Sequence, residues 1–158
     1  MNPLNYPEES FPDNNTSLER RIIVIPGVEI RRLKNAGNYK GPIHQWTLPL
    51  DKPVVQLNAF DRAKGTLFGD HFHKGADPSK APEFFWVIHG SFEFWAYNKF
   101  TKHENKATLT AGDTITIRPH ILHRFEALTD VKYVEPRVTI YGEIKDQYGP
   151  DIYETHTL

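Results

Sequence analysis

Short runs of β-branched and aromatic residues, each closed by Gly, Pro, Asn or Asp, recur from Arg20 to Gly142 and leave this chain few architectures. In order they read RIIVIPG, IHQWTLPL, VVQLNAF, GTLFGDHFH, EFFWVIHG, SFEFWAYN, ATLTAG, TITIRP, HRFEAL and VKYVEPRVTIYG. Runs of this length suit strands, and the residues that close them supply the turns an antiparallel sheet needs. The expectation is an all-β protein, a sandwich, jelly roll or small barrel, with a little helix near Ile30 to Asn35. Several strands, Phe84 to Ile88 among them, are apolar on both faces. One face then lines an interior while the other packs under a second sheet or a second subunit.

Composition narrows the partners. A chain of 158 residues, 39% of them apolar, suits one domain with a real core. The formal net charge of -1 comes from interspersed acids and bases, which gives no footprint for nucleic acid or for an anionic membrane. With no cysteine, any metal must sit on histidine, carboxylate or carbonyl ligands. The opening MNPLNYPEESFPDNNTS has no basic start followed by an apolar stretch, and no apolar run is long enough to span a bilayer. The chain reads as cytoplasmic, with residues 1–20 a mobile N-terminal arm, 21–145 a single barrel domain and 146–158 a C-terminal tail. The overlapping glycosylation matches at Asn14 and Asn15 are then chance.

His71 and His73 stand two apart, so in a strand both imidazoles point to one face and can share an ion. An isolated His-x-His is more often two surface histidines, so the rest of the spacing has to decide. Glu83 opens the next apolar run after KGADPSKAP, a loop by composition, and a hairpin there returns its carboxylate beside the rings. Farther on, AGDTITIRPHILHRFEA carries two turns and then His123 at the start of a strand, which offers a fourth ligand.

At these residues the chain resembles a family, the cupin superfamily, in its small single-domain RmlC-like jelly-roll form. Gly65, TLFGD, His71-Phe-His73, Glu83, FFWVIH and Gly90 match its first motif. Gly112, DTITI, Arg118-Pro119-His120, Ile-Leu and His123 match its second in part. The departures are nine residues between His73 and Glu83 where three or four are usual, Arg118 at the motif's proline, His120 at its glycine and Ala127 at its terminal asparagine. The resemblance implies an all-β, double-stranded β-helix (jelly-roll) cupin barrel from about Val54 to Ile144, with His71, His73, Glu83 and His123 as metal ligands. Such a ligand set suits a divalent transition metal, Fe, Mn, Ni, Co, Cu or Zn. Glu83 is either a ligand only or also the catalytic base.

Other polar residues receive plainer readings. His89, about 20 Å along the strand from Glu83, is a core or barrel-end residue. His120 belongs to a turn or the mouth, and His44, His103 and His156 have no partner in register. Lys74 and Lys80 flank the loop and read as solvated, with an anionic substrate group as the sharper alternative. Gln56, Asn58, Arg137 and Tyr141 are candidate pocket residues. The stripe of Phe85, Trp86, Phe92, Phe94, Trp95 and Tyr97 reads as core or interface.

The functional expectation is a metal-binding enzyme that isomerises or epimerises a small polar substrate such as a sugar or sugar nucleotide. The alternatives are an Fe-dependent dioxygenase and a non-catalytic ligand-binding cupin. The expected partners are a small-molecule substrate and a second copy in a homodimer, with no nucleic acid and no membrane.

Overall fold

A computed structural model describes residues 18–33, 35, 37–148 and 152–153. Most of the N-terminal arm, His156 and the end of the tail lie outside them. Eleven strands are present among the described residues: β1 Leu18–Ile25, β2 Val28–Leu33, β3 Gln56–Arg62, β4 Leu67–His73, β5 Glu83–His89, β6 Ser91–Asn98, β7 His103–Thr110, β8 Asp113–Ile117, β9 Ile121–Ala127, β10 Val131–Arg137 and β11 Ile152–Tyr153. They form two antiparallel sheets, ordered β1-β2-β8-β5-β10-β3 and β11-β4-β9-β6-β7. One helix, α1 Tyr141–Tyr148, follows β10, and a 3-10 turn, Pro78–Lys80, lies in the loop before β5. Among the described residues no helix is long and apolar enough to cross a membrane.

The alternation expected of strands decides what lies between the sheets. Phe85 and Val87 of β5, Phe92 and Phe94 of β6, Ile115 and Ile117 of β8, and Phe125 of β9 are buried in one cluster with Val28 and Ile30. Trp95 packs on the opposite face of β6, in a smaller group with Phe72, Leu122 and Tyr97. The tight reversal from β5 into β6 needs Gly90, whose φ is +79°. A Cβ there would stand 2.1 Å from the Asp130 carbonyl oxygen and 2.6 Å from Thr129 Oγ1.

Three expectations need correction. The segment Ile30 to Asn35 is not helical where it is described: β2 occupies it as far as Leu33, with Ile30 opposite Ile22 and Ile115. Pairing on both sides and a buried inner face override whatever helical preference Arg31, Arg32 and Leu33 carry. IHQWTLPL forms no strand. It lies over the outer face of the larger sheet, where the Trp46 ring meets Phe84 at 5.9 Å and Trp86 at 6.3 Å, both edge-on. The second apolar face of β5 is therefore covered at these two residues by its own chain. The larger sheet also begins upstream of Val54, since β1 and β2 belong to it. At the other end, β11 pairs with β4 of the same chain, Ile152 opposite His73 and Tyr153 opposite Phe72.

Candidate functional site

Strand parity carries the site. On β3 the residues Asn58, Phe60 and Arg62 face inward, on β10 Tyr133, Glu135 and Arg137, and on β5 Glu83 and Phe85; all eight line one cavity of about 460 Å³ between the sheets. Across from them β4 and β9 contribute Phe68, His71, His73, His123 and Phe125. A bulge sets the aim of the first histidine. Gly69 and Asp70 both have positive φ, +83° and +46°, and the β4–β9 register shifts between Gly69 and His71. His71 then stands opposite His123.

The three imidazoles converge. One ring nitrogen from each of His71, His73 and His123 falls within 4.8 Å of the others, and the rings of His71 and His73 are 4.7 Å apart. His123 Nδ1 donates to the Ile121 carbonyl at 2.9 Å, which leaves the Nε2 lone pair to the cavity. Burial, reinforced by His123, pushes His71 down to about 4. Burial also pushes His123 down to about 4 against the pull of Glu83. Both are neutral, lone-pair donors at pH 7.

Glu83 reaches this cluster despite the long loop before it. Its Oε2 lies 3.5 Å from His73 Nε2 and 3.6 Å from His123 Nε2, buried and without a hydrogen-bond partner among the described residues. Its other oxygen meets Lys80 Nζ at 2.5 Å. The loop makes that meeting possible. Asp77 Oδ1 accepts from the Ser79 amide, and Ser79 Oγ accepts from the amides of Val138 and Thr139, so the 3-10 turn is pinned to the end of β10. Lys80 is thereby turned inward and also meets Glu135 Oε2 at 2.5 Å. A solvated Lys80 was the plainer expectation, and burial between two carboxylates replaces it.

From Lys80 the ion pairs continue. Arg137 Nη1 lies 3.3 Å from Glu135, and Nη2 pairs with Asp77. Burial alone would raise the Glu83 carboxyl, but Lys80, His73 and His123 more than offset it and hold it well below the usual carboxylate range. Burial would likewise lower Lys80, yet Glu83 and Glu135 outweigh it and hold the ammonium charged. Burial pushes the Tyr133 phenol up to about 12. It remains a proton donor at neutral pH.

Four rings form the remaining wall. Phe60 stacks on Tyr133 at 4.9 Å, Tyr133 on Phe68 at 5.5 Å and Phe68 on Phe125 at 4.9 Å. Asn58, Arg137 and Tyr141, named from sequence as pocket candidates, line the cavity, while Gln56 Oε1 accepts from the Tyr141 amide. Sequence reasoning missed Asp77, Glu135, Arg62 and Tyr133. For Arg62, Glu135 and Tyr133 the only signal is parity on β3 and β10, which becomes readable once the pairing of those strands is known, and Asp77, in the loop before β5, lacks even that. His89 is exposed at the end of β5, and His44 and His103 are exposed as well. His120 sits in the turn before β9, near the Phe72 and Phe100 rings and outside the imidazole cluster.

The donor set passes a chemical test for a divalent transition metal. Three imidazoles converge, of which burial keeps His71 and His123 neutral, beside a carboxylate oxygen with no hydrogen-bond partner among the described residues, and the outer ring nitrogen of His123 is fixed by a carbonyl. No protein-family model and no curated protein matches the sequence. Solved structures do match. The chain is similar to dTDP-4-dehydrorhamnose 3,5-epimerase from Sulfolobus tokodaii, at 18% identity and a TM-score of 0.61 over 76% of this chain and 74% of that one. It is similar to NovW, a 4-keto-6-deoxy sugar epimerase from Streptomyces spheroides, at 15% and 0.62 over 80% and 71%. It is also similar to the 3,4-ketoisomerase QdtA from Thermoanaerobacterium thermosaccharolyticum, at 14% and 0.59 over 78% and 98%. The fold is therefore that of the RmlC-like cupins.

Proposed function

We propose that this cupin-fold chain is an epimerase- or isomerase-type enzyme acting on a sugar or sugar nucleotide, with a divalent transition metal held by His71, His73, Glu83 and His123 in a jelly-roll barrel. One observation carries the metal: the buried Glu83 Oε2, which has no hydrogen-bond partner among the described residues, lies 3.5 and 3.6 Å from two imidazole nitrogens. The substrate class is supported by the sugar epimerases and ketoisomerase that share the fold. An ion there supplies Lewis acidity toward a substrate carbonyl or hydroxyl oxygen.

The chain's own residues prepare the rest. Lys80 keeps Glu83 ionised, which suits a ligand and makes its carboxylate a weak base. The Phe60, Tyr133 and Phe68 rings offer a flat apolar wall of the kind that accepts a sugar face, and the Tyr133 hydroxyl stays protonated to donate toward a substrate oxygen or carbanion.

A second reading has its own observation. Lys80 already balances Glu83, and His71 is neutral and partly exposed, so the same proton transfer can run without metal, with His71 as base and Tyr133 as acid. Incubation with keto sugars, free and nucleotide-linked, in deuterated water separates the two. Deuterium entering the carbon beside the carbonyl supports the enzyme class, and its loss on chelation supports the metal. Exchange with none of the sugars, metal-loaded or chelated, would reject the class.

A further inference from the structure

The described residues lining the cavity include three cations and three carboxylates, and two of the cations are already spent. Lys80 is held between Glu83 and Glu135, and Arg137 is held by Glu135, Asp77 and Thr139. Drawing either toward a ligand leaves a buried carboxylate uncompensated. Arg62 differs. Its one hydrogen bond among the described residues runs from Nη1 to its neighbour's carbonyl, that of Asp61, so most of its five donors remain open. Its guanidinium carbon lies 5.1 Å from the Phe60 ring, 5.6 Å from Phe68 and 6.0 Å from Tyr133, against the same aromatic wall.

Resting on the reading of the cavity as a sugar epimerase or isomerase site, we propose a narrower substrate: a sugar with a single terminal anionic group, carboxylate or phosphate monoester, anchored by Arg62, and not a nucleotide diphosphate. Phe68 and Phe125 lie opposite each other in the β4–β9 register, next along those strands from the His71–His123 pair. The anion-binding and reacting ends are thus separated by on the order of 10 Å along the strand, with the ring wall between them. A guanidinium fork suits either oxyanion. A pyrophosphate brings a second centre of charge, and the described wall offers it no second uncommitted cation. The cation of the proposed metal site is committed to the reacting end.

The test is a ligand-observed NMR titration of the metal-loaded full chain with D-galacturonate, D-galactose 6-phosphate, D-galactose, dTDP and dTDP-glucose. Wild type is compared with Arg62→Gln and Arg62→Lys, each first shown to keep its circular dichroism and melting temperature. The expected result is that one or both acidic sugars bind at least tenfold tighter than galactose, that Arg62→Gln removes the preference and that Arg62→Lys restores part of it. Whichever acid binds tighter identifies the oxyanion. An acid preference that survives Arg62→Gln, or no preference at all, overturns the proposal. Tighter binding of dTDP and dTDP-glucose overturns it while leaving the sugar-enzyme reading in place. Binding of no sugar overturns both.

Discussion

Lys80 and His71 face the same cavity, and their surroundings are opposite. Lys80 ends between two carboxylates at 2.5 Å each, in a row of alternating charges that runs on through Glu135 and Arg137 to Asp77. His71 stands opposite His123 and beside His73, and burial keeps His71 and His123 neutral. Every charge in the first group is answered within the protein. In the second, three imidazole nitrogens converge beside the Glu83 carboxylate, which belongs to both groups. A fully compensated row keeps buried charges satisfied, whereas a cluster of converging imidazoles is a place for something to bind.

Breaking the row has the largest expected effect on folding. Lys80→Met leaves Glu83 and Glu135 buried without their shared cation and should cost about 3–5 kcal/mol in urea unfolding. His71→Ala, at a partly exposed position outside the row, should cost about 1 kcal/mol or less. Equal losses would mean that the two groups are one structural unit.

Acid probes the imidazole side. His123 titrates near 4 when folded against an ordinary 6.5, so between those values the unfolded chain binds more protons and stability falls as pH falls. The loss should approach on the order of 3 kcal/mol for this buried ring, followed as melting temperature from pH 7 to pH 4. In His123→Gln that slope should flatten. Next, Tyr133→Phe keeps the stacked ring and removes only the hydroxyl. It should slow deuterium exchange into a keto sugar by about 10²-fold with little change in melting temperature, as loss of a positioned acid does. The smallest effect is local. Asp70→Gly fits the +46° φ and should change stability by about 1 kcal/mol or less, while Asp70→Val forces a β-branched residue into that conformation and should cost about 2 kcal/mol.

The donor cluster was legible in sequence because the two-residue spacing of His71 and His73 and the turn before His123 fall within motifs that resemble the cupins', and it is the resemblance that joins them to Glu83. The compensated row was not. Lys80 sits in KGADPSKAP, whose composition says surface loop, and its burial depends on Ser79 accepting amides from residues almost sixty positions later. Arg137 is readable as a pocket candidate, but its link to Glu135 and Asp77 is not, and Glu135 looks like an ordinary alternating polar residue until β10 is known to lie between β5 and β3. Trp46 misled in the other direction. Its run is as apolar as a strand, but among the described residues the edges of the larger sheet are β1 and β3, and Trp46 meets Phe84 and Trp86 edge-on.

The central claim, that the imidazoles and Glu83 form a binding site for a divalent transition metal, is tested most directly by metal titration. Chelator-treated wild type would be compared with His71→Ala and Glu83→Gln, with elemental analysis of the untreated protein alongside. The account predicts one equivalent in the wild type and at least a hundredfold weaker binding in both variants. Folded wild type that takes up none of the candidate ions would contradict it.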